Sequence, residues 1–324
     1  MQRRVLLLVV LVFAAIFAVA TTWLGRRMNE VSEGSRALEP RSFEGLTLVF
    51  VGTGGSYPNH LRRGPALALA AGGDVVLVDA GRGVAEGLRA ARIPLAQPRA
   101  VYLTSLLPEN SLGLDDLLLS GWLEPRRAPL RVVGPPGTRA LVEGLEAAHR
   151  QGARAQGEAF GLPAEGGRAQ VVEMAGGASA EEGALRVQAA ALEGGPVPAL
   201  AYRFEAGGRS AVLGGLAWGG DALVELARGA GILVHEAWFA ESVELAIAAG
   251  ADDPERLRRE AALRTPLPEA GARARRAGAR TLALVRLRPP PLFAFQASRA
   301  AAAAYAGEIL VPEDGDEVGL GGGG

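Results

Sequence analysis

Short apolar runs alternate with segments of helical spacing along most of the chain. The apolar runs are bounded by Gly, Pro and polar residues, and they predict strands at residues 46–52, 75–79, 100–104, 130–133, 185–191, 201–204, 211–214, 232–235 and 281–287. Apolar positions at helical spacing predict helices at residues 83–91, 112–122, 138–150, 221–229, 254–263, 269–277 and 297–304. Strands outnumber helices early and alternate with them late, which predicts a mixed α/β domain.

One apolar run, at the N-terminus, is long enough to suggest a membrane helix. Residues 5–23 carry no charge, and a pair of Arg residues flanks the run on each side. About 20 residues at about 1.5 Å each cover the roughly 30 Å core of a bilayer. We therefore expect a retained anchor helix over residues 1–27, with these anchoring side chains: Val5, Leu11, Phe17 and Trp23. The alternative is a cleaved signal peptide, since Ala18-Val19-Ala20 has the form of a cleavage site.

The expected anchor also sets expectations for location and domain boundaries. The charge bias across the apolar run is weak and leans towards a cytoplasmic N-terminus. We therefore expect a single-pass protein of the bacterial inner membrane, in contact with lipid, with its globular domain in the periplasm. Residues 28–44 predict a linker, residues 45–312 the globular domain, and residues 313–324 an acidic, Gly-rich tail in solvent.

Composition narrows the possible chemistry. The chain has no Cys, which excludes disulfides and thiolate metal ligands, and it has only three His. His60 is expected in a polar loop, and His149 near a helix C-terminus, where it complements the helix dipole. The formal net charge is −1, so bulk electrostatics give no reason to expect a nucleic-acid partner.

Glycine-rich turns follow two of the predicted strands. The first turn lacks the third glycine of a dinucleotide-binding loop, and no helix follows it. We interpret the turn glycines as structural: Gly52, Gly54, Gly55, Gly134 and Gly137. We interpret Asp79 as a buried carboxylate whose hydrogen bonds hold neighbouring loops.

A longer pattern resembles the metallo-β-lactamase-fold hydrolases of the ribonuclease Z type. Its first half carries VGTGGSYPNHLRRGPALAL, VVLVDAGRGVAEGLRAARI, AVYLTSLLPENSLGLDDLLL and LRVVGPPGT. Its second half carries PVPALAYRF, AVLGGLAWGGDALVELARGAGILVHEA and PEAGARARRAGARTLALVRLRP. These blocks cover residues 45–290 in the order and spacing of the family. The resemblance implies an αββα sandwich, with two mixed sheets face to face, helices outside and a site along one sheet edge.

The resemblance also implies a site for two zinc ions, but its ligand positions are mostly replaced in this sequence. In the family, His and Asp residues hold two metal ions that activate a hydroxide. The corresponding positions here are Ser105, Leu107, Glu109, Asn110, Gly194, Leu216 and Arg286, with Thr265 at a further His. Leu and Gly offer no ligand atom, and Arg repels a cation. We therefore expect no metal and no other cofactor, and we interpret Asp115 and Asp116 as first-turn helix carboxylates.

One family motif is retained near the predicted site. His235-Glu236-Ala237 resembles the family's His-Glu-Ala motif, whose His can act as a general acid. Without a metal-bound hydroxide it has no evident step to assist. We therefore interpret His235 and Glu236 as vestigial.

Three functions fit these observations. The first is a catalytically inactive, membrane-anchored subunit with integral-membrane partners, in a respiratory, photosynthetic or transport complex. Its candidate docking surface is an apolar stretch that is otherwise a plain loop: Pro289, Pro290, Pro291, Phe293 and Phe295. The second is a residual metal-dependent hydrolase or phosphodiesterase of the ribonuclease Z type. The third is a small-molecule sensor that uses the former cleft.

Overall fold

The chain divides into an N-terminal helix and a larger folded unit. The computed structural model describes residues 2–35, 37–56, 61–124, 126–214, 218, 220–250, 253–288, 290–291 and 293–321. The two compact units are Met1–Leu38 and Glu39–Gly324. Helix α1 (Gln2–Ser35) makes up nearly all of the first unit.

Helix α1 contains the apolar run that the sequence analysis interprets as a membrane anchor. No helix among the described residues is long and apolar enough to cross a membrane. Phe17 and Trp23 are exposed on α1, and the side chains of Val5 and Leu11 lie outside the described part. The helix also continues through much of the predicted linker.

The second unit is rich in strands. Its strands are β1 (Phe43–Gly52), β2 (Ala66–Gly72), β3 (Asp74–Val78), β4 (Ala100–Tyr102), β5 (Leu130–Gly134), β6 (Ala169–Glu173), β7 (Ser179–Glu182), β8 (Leu185–Leu192), β9 (Ala199–Ala206), β10 (Arg209–Gly214), β11 (Ile232–Trp238), β12 (Thr281–Arg288), β13 (Glu308–Leu310) and β14 (Glu317–Gly319). Its helices are α2 (Val84–Ala90), α3 (Pro108–Ser111), α4 (Leu114–Leu123), α5 (Thr138–Phe160), α6 (Gly220–Leu226), α7 (Ala240–Ala248), α8 (Pro254–Ala261), α9 (Leu267–Ala277) and α10 (Ala294–Ala302).

The described strands form two mixed sheets of seven strands each. The order in the first sheet is β14-β1-β2-β3-β4-β5-β6, and in the second it is β13-β12-β11-β10-β9-β8-β7. Strands β3 to β6 are parallel in the first sheet, and β10 to β13 are parallel in the second. The carboxyl ends of parallel strands meet at one edge of a sheet, and loops at such an edge commonly carry ligand sites.

Apolar side chains fill the space between the two sheets. At the centre, the Tyr102 ring meets the rings of Tyr202 and Phe204 edge to face, with centroid separations of 5.2 and 5.6 Å. The two buried hydroxyls have partners: Tyr102 Oη donates to Glu182 and Tyr202 Oη to the Leu103 carbonyl, each at 2.8 Å. Separate apolar clusters join the outer faces of the sheets to helices. The αββα sandwich that the sequence implied is therefore present.

The C-terminal segment belongs to the sheet, contrary to the expected solvated tail. β14 pairs antiparallel with β1, with Leu48 opposite Val318. In the turn before β14, the Asp314 carboxylate accepts hydrogen bonds from Thr53 N and Thr53 Oγ1, at 2.8 and 2.7 Å. The acidic residues of this turn thus serve a local structural purpose that charge density alone did not reveal.

Candidate functional site

The carboxyl ends of strands from both sheets meet along one edge of the sandwich. Asp79 directly follows β3, and Thr104 and Ser105 follow β4. From the second sheet, β11 contributes Glu236 and β12 contributes Arg286. Ser105 also bridges to Ala199 of the second sheet, so the two sheets are joined at this edge.

Asp79 organises the loop after β4. Its carboxylate accepts hydrogen bonds from Thr104 N and Thr104 Oγ1, each at 2.8 Å at the closest. Burial raises the pKa of Asp79 to about 7, although the Arg286 charge and the Thr104 hydrogen bonds act in the opposite direction. Asp79 adopts a left-handed backbone conformation with φ of 61°, which is uncommon for a residue with a side chain.

Arg286 lies at the position where the family resemblance places a metal ligand, and it is buried. Its Nε lies 3.1 Å from Glu236 Oε2, and its Nη1 lies 3.9 Å from Asp79 Oδ2. Its Nη2 donates to Glu109 Oε1. Burial opposes the positive charge, but Glu236, Glu109 and Asp79 raise the pKa of Arg286 above its ordinary value. The guanidinium therefore stays charged at the centre of three carboxyl groups.

The other former ligand positions hold one another or pack into the core. Asn110 Nδ2 donates to Thr104 Oγ1 and to Ser105 Oγ, each at 2.9 Å. Leu107 packs against the apolar cluster between the second sheet and its helices. Gly194 has φ of 88°, a conformation that favours glycine over histidine. Leu216 lies outside the described residues.

His235 is fully buried beside Arg273. Its Nε2 lies 3.4 Å from Arg273 Nη1, which also donates to Thr265 Oγ1 at 3.0 Å. Its Nδ1 contacts the Glu236 carbonyl. Burial, with help from the Arg273 charge, lowers the pKa of His235 to about 4, so the ring is neutral near pH 7. A neutral, buried ring is poorly placed to exchange a proton with a ligand.

Several arginines complete the site, and the sequence patterns did not single them out. Arg264 Nη1 lies 3.1 Å from Glu236 Oε1, and Arg264 Nη2 lies 3.3 Å from Glu260 Oε1. Arg288 Nε also reaches Glu260, at 2.8 Å. The residues around these arginines in the sequence are typical of a solvated helix and a loop. One signal could have pointed to Arg264: it directly precedes Thr265, which lies at a position where the family has a histidine.

The residues at this edge do not fit the two zinc ions that the resemblance implied. The three carboxyl groups that could act as ligands are all turned onto the Arg286 guanidinium. No group of three or more His, Asp or Glu side chains among the described residues could hold a metal ion. A fixed guanidinium charge repels a cation, so the chemistry of the donor set argues against a metal here.

Behind Arg286 lies a small cavity between the sheets. Its volume is about 40 Å³, and Asp79, Thr104 and Arg286 supply its polar lining, with apolar side chains such as Leu213 around them. A cavity of this size has room for water but not for an organic ligand. It therefore gives no support to a sensor that uses this position as its pocket.

The glycines of the first turn differ in what they require. A Cβ at Gly52 would lie 1.9 Å from the Gly64 carbonyl oxygen, and one at Gly54 would lie 2.6 Å from that of Arg63. A Cβ at Gly55 would meet nothing closer than 3.9 Å. The chain thus needs glycine at the first two positions because two backbone segments approach closely. In the turn after β5, a Cβ at Gly134 would meet Thr138 Oγ1 at 2.4 Å, and Gly137 has φ of 101°.

The remaining predicted residues lie away from this edge or outside the described part. His149 Nε2 lies 3.3 Å from Asp115 Oδ2, which ties α5 to α4, while Asp116 accepts from Ser120. His60 and Pro289 lie outside the described residues. Phe293 and Phe295 are exposed and stack on each other at 5.7 Å, after Pro290 and Pro291. Nothing tests the docking role predicted for this stretch.

Relatives and solved structures identify the group to which the chain belongs, although no family model matches it. Ribonuclease Z of Mycobacterium sp. strain KMS is 33% identical over 251 residues, which are 76% of this chain and 85% of that protein. Ribonuclease Z of Mycolicibacterium paratuberculosis is 33% identical over 279 residues, or 83% of this chain and 96% of that protein.

Solved structures agree on the fold. The metallo-β-lactamase fold protein YhfI from Bacillus subtilis superposes with a TM-score of 0.64 at 17% identity, covering 85% of this chain and 99% of that one. Human tRNase Z, short form, gives a TM-score of 0.61 at 20% identity, covering 85% and 99%.

These findings correct two expectations. The inactive membrane-complex subunit with integral-membrane partners is contradicted, because the relatives are named ribonucleases. The expectation of no nucleic-acid partner is contradicted by the same names; it failed because a net charge near zero describes the whole chain and says nothing about one cleft. With a third of the aligned residues identical to those of ribonucleases Z over most of their length, the chain belongs to the ribonuclease Z family of metallo-β-lactamase-fold proteins.

Proposed function

We propose that this protein takes RNA as its ligand, and that its cleft receives the phosphodiester without the family's zinc pair. The observation that supports this most is the length of the identity with ribonuclease Z. An alignment over 83% of the chain necessarily includes segments of both sheets, and therefore both sides of the cleft.

Partly exposed arginines next to the site support a phosphate-binding role. Arg62 Nη1 donates to Thr53 Oγ1 at 2.7 Å, and the Thr53 carbonyl accepts from Arg286 N at 2.8 Å. The Arg82 carbonyl accepts from Gly64 N at 2.9 Å, which places Arg82 beside the same turn. Guanidinium groups bind phosphate oxygens through paired hydrogen bonds. We assign the first phosphate contacts to this turn.

The binding of labelled RNA at several salt concentrations tests this proposal. We expect saturable binding that weakens with salt, because phosphate contacts release counterions. Arg82→Ala should weaken binding to all sequences alike and reduce the salt slope by about 1. The matched control is Arg228→Ala, which removes an exposed arginine from the turn before β11, at the opposite end of that strand from the site. No binding at low salt, or an equal loss in both variants, would contradict the proposal.

A residual phosphodiesterase of the same family is the second candidate. It is favoured by the 96% of a ribonuclease Z chain that this protein matches. Cleavage of the same RNA, measured in EDTA and then with added Zn²⁺ or Mn²⁺, separates the two candidates. Cleavage stimulated by metal would establish the hydrolase and contradict a cleft that works without zinc. Binding with no metal-stimulated cleavage is the result that we expect.

A further inference from the structure

The Arg286 guanidinium lies where four segments of the fold converge. Asp79 and Glu109 come from the first-sheet side, from the loop after β3 and from α3. Glu236 and Arg286 come from β11 and β12 of the second sheet. The contacts of Arg286 with the three carboxyl groups therefore join the two halves of the sandwich at the cleft.

The side chains in these contacts are buried, which makes the loss of any one charge costly. The side chains of Arg286, Glu236 and Glu109 are 3%, 2% and 8% exposed, so water cannot take the place of a missing partner. A buried carboxylate without a cation is strongly unfavourable, and a buried ion pair is most costly when one partner is removed. Arginine suits the position because its charge is permanent and its planar group donates in several directions.

The backbone conformation of Asp79 and Arg286 is independent evidence that these two residues are held in place. Both Asp79 and Arg286 have positive φ, at 61° and 53°. Residues with side chains hold this conformation only where the surroundings fix it. Arg286 N is fixed by its hydrogen bond to the Thr53 carbonyl, and Asp79 N by one of 2.9 Å to the Tyr102 carbonyl. The chain is thus held in an uncommon conformation at both ends of one ion pair.

We propose that Arg286 is the resident cation of this cleft: it replaces the metal ions as the positive centre that holds Asp79, Glu109 and Glu236 together. The loops of the cleft then need no metal ion to keep their shape. Removing the guanidinium leaves the three carboxyl groups buried without their counter-charge. Carboxylates are the ligand type that Mn²⁺ and Ca²⁺ favour, so we expect these side chains to shift towards an added cation. This inference rests on the ion-pair geometry and holds whether or not RNA is the ligand.

Thermal unfolding of the wild type and of Arg286→Ala, each with EDTA and with Mn²⁺, tests the proposal. The wild-type Tm should be the same in both conditions. Arg286→Ala should unfold roughly 10 °C lower in EDTA, as expected for breaking a buried ion pair in a chain of this size, and Mn²⁺ should recover at least half of that loss. The Mn²⁺ effect should disappear in the double variant Arg286→Ala, Glu109→Gln, which removes one ligand charge.

Arg288→Ala is the matched control, because it removes an arginine two residues away on the same strand whose carboxylate partner is Glu260. Its Tm should not respond to Mn²⁺. A wild-type Tm that rises with Mn²⁺, or a folded Arg286→Ala protein that ignores Mn²⁺, would overturn the proposal. If Arg286→Ala does not fold in EDTA, its expression and refolding with Mn²⁺ or with millimolar methylguanidinium gives the same test: recovery by either cation supports the proposal, and recovery by neither overturns it.

These outcomes are independent of the RNA-binding test. If the wild type does not bind RNA while the Tm of Arg286→Ala responds to Mn²⁺, the proposed function is rejected and the proposal of a resident cation stands. If the wild type binds RNA while the Tm of Arg286→Ala does not respond to Mn²⁺, only the proposal of a resident cation is rejected.

Discussion

At the scale of single residues, the cleft is governed by how each buried charge finds a partner. Glu236 illustrates this, since one of its oxygens faces Arg286 and the other faces Arg264. Each of these buried charges is stabilised by a partner of opposite charge, so removing one side chain leaves another charge buried without compensation. Single substitutions here should therefore act through the partners that they leave behind.

His235 should give the protein a measurable pH dependence. Its pKa is lowered from 6.5 to about 4 by burial, so the unfolded chain binds a proton between these pH values and the folded chain does not. The contribution of His235 to the free energy of unfolding is fully present above pH 6.5 and falls, by up to about 3 kcal/mol, as the pH decreases to about 4. The free energy of unfolding of the wild type minus that of His235→Gln, measured by urea denaturation at several pH values, should fall accordingly.

The comparison with His235→Gln is necessary because the titration of Asp79 changes the free energy of unfolding with pH in the opposite direction. Its pKa is raised to about 7, so its contribution is present at low pH and is lost as the pH rises towards 7. Subtracting the variant at each pH cancels the Asp79 contribution. A difference that stays constant from pH 4 to 7 would show that His235 titrates normally in the folded protein.

The sequence pattern names individual positions at this edge and says nothing about their contacts. Reading the family pattern gave Glu109, Glu236 and Arg286 as separate positions, with Arg286 interpreted only as a charge that repels a cation. Glu109 and Arg286 are 177 residues apart in sequence, so only the meeting of two sheets brings them together. Local patterns carry no information about such a pairing.

At the scale of secondary-structure elements, the turn before β14 controls the shape of the first turn at the cleft. Asp314 Oδ1 accepts from Thr53 N, and Oδ2 accepts from Arg63 N at 2.6 Å. Asp314→Ala should lower the free energy of unfolding by about 2–3 kcal/mol, because it leaves backbone donors without their charged acceptor. Chemical denaturation measures this loss. Glu313→Ala, at a neighbouring carboxylate that is 79% exposed, should change stability by less than about 0.5 kcal/mol, and equal losses would contradict the role of Asp314.

Elements with strong apolar contrast could be predicted, and those without it could not. The strands at 46–52, 130–133 and 232–235 were predicted within a few residues because runs of Val, Ile and Leu are buried on both faces. β2 (Ala66–Gly72) was missed because alanine and glycine give little contrast between strand, helix and loop. α5 extends ten residues beyond its predicted end, to Phe160, over a stretch with few buried side chains.

At the scale of the whole molecule, the chain has a metallo-β-lactamase fold, and we propose that Arg286 supplies the positive centre of its cleft. The sandwich, the sheet order and the edge where the strands end are retained around a charge network of arginines and carboxylates. Global properties of the sequence do not show this arrangement. The net charge of −1 describes the whole chain and does not show that Arg62 and Arg82 lie at one turn.

Zinc stoichiometry tests the central claim most directly. Purified wild-type protein is incubated with excess Zn²⁺ near pH 7.5, passed through a desalting column, and analysed by inductively coupled plasma mass spectrometry alongside Arg286→Ala. We predict well under one zinc ion per wild-type chain and a higher zinc content in the variant, because the guanidinium is the counter-charge of Asp79, Glu109 and Glu236, and its removal leaves these carboxyl groups to attract a cation. Two zinc ions per wild-type chain would contradict the account.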